Sequence, residues 1–423
     1  MSQHTPADGD PFIRITAHRR GGCIVSTTIT MPEQVPPGAL AIGLAPEAAA
    51  EALGRHFCHS NRAHVHAVTA ASAAALGLPP ADSGSLLAGE RELAAEAADA
   101  HLRRLLIDWP LCLGMDARPS RHAEFHRRLS AGTDAAACFE LGGDILDLVS
   151  REMLAGFFNN IRLPHSMAEF AERANRGGIL GTALHEMINL GPSQPSQGRT
   201  VPILGKLSAA AWVSAMGDWP AAEFVTHPTF AGEPAETGPL ARHAVSPLVR
   251  LLLERGHRVS ARLFAKAIDL ADCASRLRHP FTDDVPPMLD AVQASPGIGL
   301  ARVSTARGVL LCWVRIEAGL VADCAIVPAE AWNFHPQGPF CHEACSETAE
   351  TPQAAFHRLS LLALALDPAR PCSIDVADEA PKKRGRSANP RRAPGPLRAP
   401  GAGSCRRNTP AAHARRDRSR SPR

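Results

Sequence analysis

The 423 residues carry 45 Lys and Arg against 42 Asp and Glu, are 45% hydrophobic and 4% aromatic, and include 11 cysteines but no tyrosine. The 33 Gly and 36 Pro follow no three-residue period, which excludes a fibrous protein, and no uncharged apolar run reaches the roughly 20 residues of a membrane-crossing helix. The first thirty residues are charged and lack a leader-type apolar run, so the odd cysteine count is expected to reflect reduced thiols in a cytoplasmic protein.

In chain order, the β-branched run Ile24–Thr30 predicts a strand, and Leu40–Leu44 after Pro36-Pro37 a second, shorter one. Pro46-Glu47 opens a helix to Leu53. A second, Ala-rich helix runs from about Arg62 to Leu76, with Asn61 as its cap and Gly77 and Pro79-Pro80 as its stop. Glu90 to Trp109 places Leu102, Leu105, Leu106 and Trp109 on one helical face. Further helices are expected at 139–156, 167–174, 178–189, 206–216, 245–276 and 353–366, and a β-hairpin over 309–327 with its turn at Glu317-Ala318-Gly319. The expectation is a mainly helical protein with minor β (α+β), without the βαβ alternation of a nucleotide-binding sheet.

The near-neutral total hides two polymers. Pro381–Arg423 holds 14 Lys and Arg against one acid, Asp417, a net +13; the rest holds 31 basic and 41 acidic groups, a net −10. The tail has one Leu and no other large apolar residue, too little to offset the entropy of ordering, so it is expected to be disordered. Its arginines could neutralise phosphates, but no stacking aromatic or recognition motif accompanies them, so any nucleic-acid binding would be non-specific. Its Arg/Pro/Ala/Gly composition is also what GC-rich DNA yields out of frame. Three parts are expected: a β-containing segment at 1–46, a helical domain at 47–378 and the basic tail at 379–423.

Several chemical signatures fail on inspection. His185-Glu186-Met187-Ile188-Asn189 lacks the second histidine of a zinc-protease helix. Cys341 and Cys345 lack two further ligands at finger spacing and are expected to be loop residues. His64 and His66, two apart on a helix, point to different faces.

Four segments together resemble the large subunit of nickel–iron hydrogenases and, more closely, the HupK/HoxV family of hydrogenase expression/formation proteins. They are Arg55-His56-Phe57-Cys58-His59-Ser60-Asn61; Gly232-Glu233-Pro234-Ala235-Glu236-Thr237-Gly238-Pro239-Leu240-Ala241-Arg242; Thr305-Ala306-Arg307-Gly308 through Trp313 to Trp332-Asn333-Phe334-His335-Pro336; and Asp367-Pro368-Ala369-Arg370-Pro371-Cys372. The resemblance spans about residues 24 to 378. It implies a hydrogenase large-subunit-like helical core.

In the catalytic relatives two CxxC pairs hold nickel and iron. Here Cys58 matches one cysteine of the first pair, with Asn61 in place of the other. Cys372 matches one of the second pair, with Ala369 in place of the other. Asp375 stands where the terminal histidine would be. Two sulfurs do not make the thiolate-rich site that nickel requires, so the resemblance implies no nickel and no catalysis. It implies a scaffold that transiently carries an Fe(CN)2(CO) group, with Cys58 and Cys372 as metal ligands and Arg307 donating to a cyanide. The implied partners are the hydrogenase large-subunit precursor and other maturation proteins. The alternatives are a metal-free assembly chaperone and a divergent catalytic subunit. Glu236 and Arg242 are expected to form a buried stabilising network, and Cys312 to be core packing in the hairpin.

Overall fold

The computed structural model describes residues 12–378, apart from 32–35, 133, 161, 193–199 and 282–284; the basic tail lies outside the described residues. Among the described residues, seven strands form two sheets packed with a mainly helical body. β1 (Ile13–Arg20), β2 (Cys23–Thr30) and β7 (Cys372–Asp378) make one sheet in the order β2-β1-β7. β1 pairs antiparallel with β2 and parallel with β7, Ile13 standing opposite Cys372. The two ends of the described chain therefore share a sheet: the segment 1–46 contributes two of its strands and the end of the helical part the third.

The second sheet is an antiparallel meander of β3 (Leu289–Ser295), β4 (Ile298–Thr305), β5 (Gly308–Glu317) and β6 (Leu320–Val327). The expected hairpin is its second half, turning through Ala318 and Gly319, both at positive φ. β3 and β4 escaped the sequence reading because β4 is buried on both faces and so does not alternate. Cys312 is buried on β5 opposite Ile326. The hydrogen-bonded neighbour Cys324, together with burial, pushes its thiol well above the usual range, as an inert core residue.

Leu40–Leu44 is not a strand. Pro37 starts a short 3-10 turn, Pro37–Leu40, and Leu44 and Gly43 exchange one pair of backbone hydrogen bonds with Val321 of β6. The expected helix over 245–276 is two, Pro247–Glu254 and Arg258–Arg278, broken where Gly256 takes φ +78°. The helix expected from Glu90 starts earlier, at Ser83, where Asp82 accepts from the Ser85 amide, and runs to Arg103. A widened turn, Arg104–Asp108, and the short helix Trp109–Cys112 continue it. Cys341 lies on a short helix, Pro339–Ala344, rather than a loop, and Cys345 follows it.

The helix Arg258–Arg278 is the central strut. Its residues Arg258, Arg262, Lys266, Asp269 and Cys273 recur at helical spacing and are all buried. The charged members of that stripe find their partners on other elements. A smaller aromatic cluster of Trp212, Phe224, Trp313 and Trp332 fills the space beside the meander, with Trp212 and Trp332 rings 5.6 Å apart.

Candidate functional site

The turn Thr305–Gly308 joins β4 to β5, and Thr305 Oγ1 accepts from the Arg307 and Gly308 amides. Gly308 and Gly238 explain why two distant motifs occur together. Gly308, at φ +141°, lies against the Thr237 side chain, and a side chain at Gly238 would sit 3.0 Å from the Arg307 carbonyl. Asn333 closes the same junction: its Oδ1 accepts from the Thr237 amide at 3.0 Å, and its Nδ2 donates to Thr237 and Leu366 carbonyls.

Asp367 ends the helix Pro352–Leu366 in the left-handed conformation, φ 58°, and is buried. It accepts from Lys266 Nζ at 2.5 Å and Arg104 Nε at 2.7 Å, and Arg307 Nε lies 3.8 Å away. Burial alone would raise this carboxyl, but Lys266, Arg104 and Arg307 hold it well below the usual carboxylate range. Arg104 also bonds Asp108 and the Pro368 carbonyl. The chain from Asp367 to Cys372 is thus anchored by cations, and Ala369 donates its amide to the buried Glu330.

Beside this hub opens a cleft of about 560 Å³ lined by Arg103, Arg104, Arg307 and Arg370, with His59, Asp108, Cys112 and Cys372 among its other residues. Four arginines therefore face one lining carboxylate. Burial, reinforced by Arg307, Arg103 and Arg104, lowers the His59 imidazole, so it is held neutral in this cationic setting. Burial, with Glu330, pushes the Cys372 thiol up to about 12, only partly offset by Arg104. Arg307 Nε is buried without a hydrogen-bond partner among the described residues, while its Nη1 donates to the His59 carbonyl at 3.3 Å.

Arg307 and Cys372 thus come together on one cleft. Cys58 is exposed on the turn Cys58–Ser60 and is not among the lining residues; its neighbour His59 is. Nor does Asn61 cap the following helix. It is the first helical residue, and the open amides of Arg62 and Ala63 are taken by Glu96 at 2.7 and 3.1 Å. His64, set aside as a ligand, holds the Cys58 turn: its Nδ1 bonds the Ser60 carbonyl at 2.8 Å and its ring stacks on Phe57 at 3.7 Å. Cys112, also missed, shares the cleft with Cys372, and no local sequence signal marks it. Asp375 lies on β7 opposite Thr16.

Glu236 and Arg242 are both in ionic networks, but in separate ones. Glu236 and Glu343 pair with Arg258 and Arg262. Arg242 grips Asp269 with two bonds, and His101 and His243 bond the same carboxylate. A second cavity of about 450 Å³ adjoins Asp269 and Cys273. The cluster His101, Asp269 and Cys273 does not suit a cation, because the carboxylate is already spent on Arg242 and two imidazoles.

No family model matches the chain. Among solved structures it is similar to a reduced, active Ni-Fe-Se hydrogenase from Desulfomicrobium baculatum, with a TM-score of 0.57 at 13% identity over 84% of this chain and 95% of that one. The [NiFeSe] hydrogenase from Desulfovibrio vulgaris Hildenborough, in a single-residue variant, gives 0.54 at 14% identity, over 84% and 94%. The fold is that of the nickel–iron hydrogenase large subunit.

Curated relatives narrow this. The hydrogenase expression/formation protein HoxV of Cupriavidus necator is 27% identical over 358 residues, 78% of this chain and 88% of that one. HupK of Rhizobium leguminosarum bv. viciae is 27% identical over 379 residues, 87% and 96%. HupK of Azotobacter vinelandii is 33% identical over 138 residues, 33% and 37%. The chain is a homologue of the HoxV/HupK hydrogenase expression/formation proteins. Among the described residues no helix is long and apolar enough to cross a membrane.

Proposed function

We propose that this chain serves hydrogenase maturation as a scaffold. It transiently holds an iron carrying two cyanides and one carbonyl and passes it to the large-subunit precursor. The observation that supports this reading is the cleft, whose lining combines Cys372 with four arginines and where Arg307 keeps a buried Nε without a hydrogen-bond partner among the described residues. An Fe(II) with two cyanides and two thiolates is a dianion, and planar guanidinium donors suit anionic acceptors of that kind. Cys372 and Cys58 would be the sulfur ligands and Arg307 the donor to a cyanide. With two sulfurs rather than four, the group is held firmly enough to carry and loosely enough to release. The relatives are named for expression and formation of hydrogenase, and the chain is read as a carrier rather than an enzyme.

Infrared spectra of the full chain purified from a hydrogenase-producing host test this. Cyanide and carbonyl stretching bands are expected, and are expected to be lost in Cys372→Ala and Cys58→Ala. Absent bands, or bands that persist in both variants, overturn the assignment. The exposed position of Cys58, off the cleft lining, favours a second reading, a metal-free chaperone that holds the precursor. That reading predicts co-purification with hydrogenase assembly proteins but no iron in the complex.

A further inference from the structure

Away from the cleft lining, the helix Pro119–Ser130 carries His122 and His126 one turn apart, and both approach Asp99 on the helix Ser83–Arg103. His126 Nδ1 lies 2.9 Å from each Asp99 carboxylate oxygen, and His122 Nε2 lies 3.5 Å from Oδ1. The two imidazoles are stacked, with centroids 5.6 Å apart and planes 21° apart. The three donor atoms all lie within 4.8 Å of one another. His122 Nε2 is buried and has no hydrogen-bond partner among the described residues, although it faces the carboxylate.

We propose that His122, His126 and Asp99 form a binding site for a late first-row divalent cation of the zinc or nickel class, bridging the two helices. Two imidazoles and a carboxylate suit these borderline ions, whereas magnesium and calcium demand mostly oxygen donors. A tetrahedral ion with bonds of about 2.1 Å needs its donors about 3.4 Å apart. His122 Nε2 already stands at 3.5 Å from Asp99. His126 must open from 2.9 Å, and its side chain, 55% exposed, is free to do so. The exposed side leaves a fourth position for water.

Besides burial, Asp99 and His126, the charges acting on His122 are Arg103, which opposes a cation there, and Asp108, which favours one. A plain Asp–His hydrogen bond accounts for His126 and Asp99. It does not account for a buried, unpartnered His122 nitrogen turned to the same carboxylate. The site shares no residue with the proposed iron ligands.

The test is zinc binding to the full chain by equilibrium dialysis with metal analysis, in the presence of excess magnesium. Thiols bind zinc too, so the readout is the difference between variants. The double variant His122→Ala/His126→Ala is expected to retain one equivalent fewer than wild type, while Cys372→Ala loses nothing at this site. Single His126→Ala, at an exposed position that keeps the fold, is expected to weaken binding roughly tenfold or more. Asp99→Asn is expected to weaken it as well. Equal zinc content and affinity in wild type, the double variant and H126A, or displacement of the ion by magnesium, overturns the proposal.

Discussion

Two cation–carboxylate clusters, about one turn apart along the helix Arg258–Arg278, use the same chemistry to opposite ends. In the first, Arg258 and Arg262 meet Glu236 and Glu343, two cations against two anions, all buried. Glu343 is held below its usual range because Arg262 and Arg258 outweigh the cost of burial. In the second, Lys266, Arg104 and Arg307 converge on Asp367, and Arg104 and Arg307 also line a cleft with two further arginines. The balanced cluster has spent its charges on itself and so is structural. The cation-rich one retains donor capacity where a ligand can enter, and an anion is what it can accept.

The largest effect should come from unbalancing the closed cluster. Glu343→Ala leaves two buried guanidinium groups short of acceptors and should cost about 3–5 kcal/mol, read by denaturant unfolding. A loss below about 1 kcal/mol would mean water enters the cluster, and the contrast between the two regions would fail.

His64, which holds the Cys58 turn, should show the next largest effect, through pH. Burial lowers its imidazole to about 4 from 6.5, so the folded chain keeps it neutral. The unfolded chain takes up the proton first as pH falls. Its contribution is complete above about 6.5 and is lost progressively toward pH 4, about 3 kcal/mol in all. Subtracting the stability profile of His64→Gln from that of wild type should isolate this slope; parallel profiles would contradict it.

Gly308→Ala should cost about 1–3 kcal/mol, since it adds a side chain against Thr237 at a left-handed backbone position. The expected readout is a lower Tm together with a loosened Arg307 turn. The smallest stability effect, under about 1 kcal/mol, is expected for Arg307→Ala, because Asp367 keeps Lys266 and Arg104. That same variant should lose the iron-ligand infrared bands. If it destabilised the chain as much as Glu343→Ala does, Arg307 would belong with the closed cluster.

Much of this was legible along the chain. The helices with strong apolar periodicity and the 309–327 hairpin, with Cys312 in its core, follow from local pattern, and the four motif segments carried the resemblance. Less legible were features set by contacts between distant residues. β4 hid because a strand buried on both faces has no alternation. Glu96 caps a helix 34 residues earlier, so the local cap residue, Asn61, was the wrong choice. Cys112 and Cys372 line one cleft although 260 positions separate them, which no local pattern announces.

What the order of amino acids determined by itself was the class: an acidic, mainly helical body whose motif segments resemble a hydrogenase large subunit, followed by a basic tail. Which charges would be buried was decided only in three dimensions. The stripe Arg258, Arg262, Lys266 and Asp269 has the spacing of a solvated helix face, yet lies inside the core. A charge leaves water only where opposite charges are waiting, and Glu236, Glu343, Asp367 and Arg242 reach those places through the fold rather than through proximity in the chain.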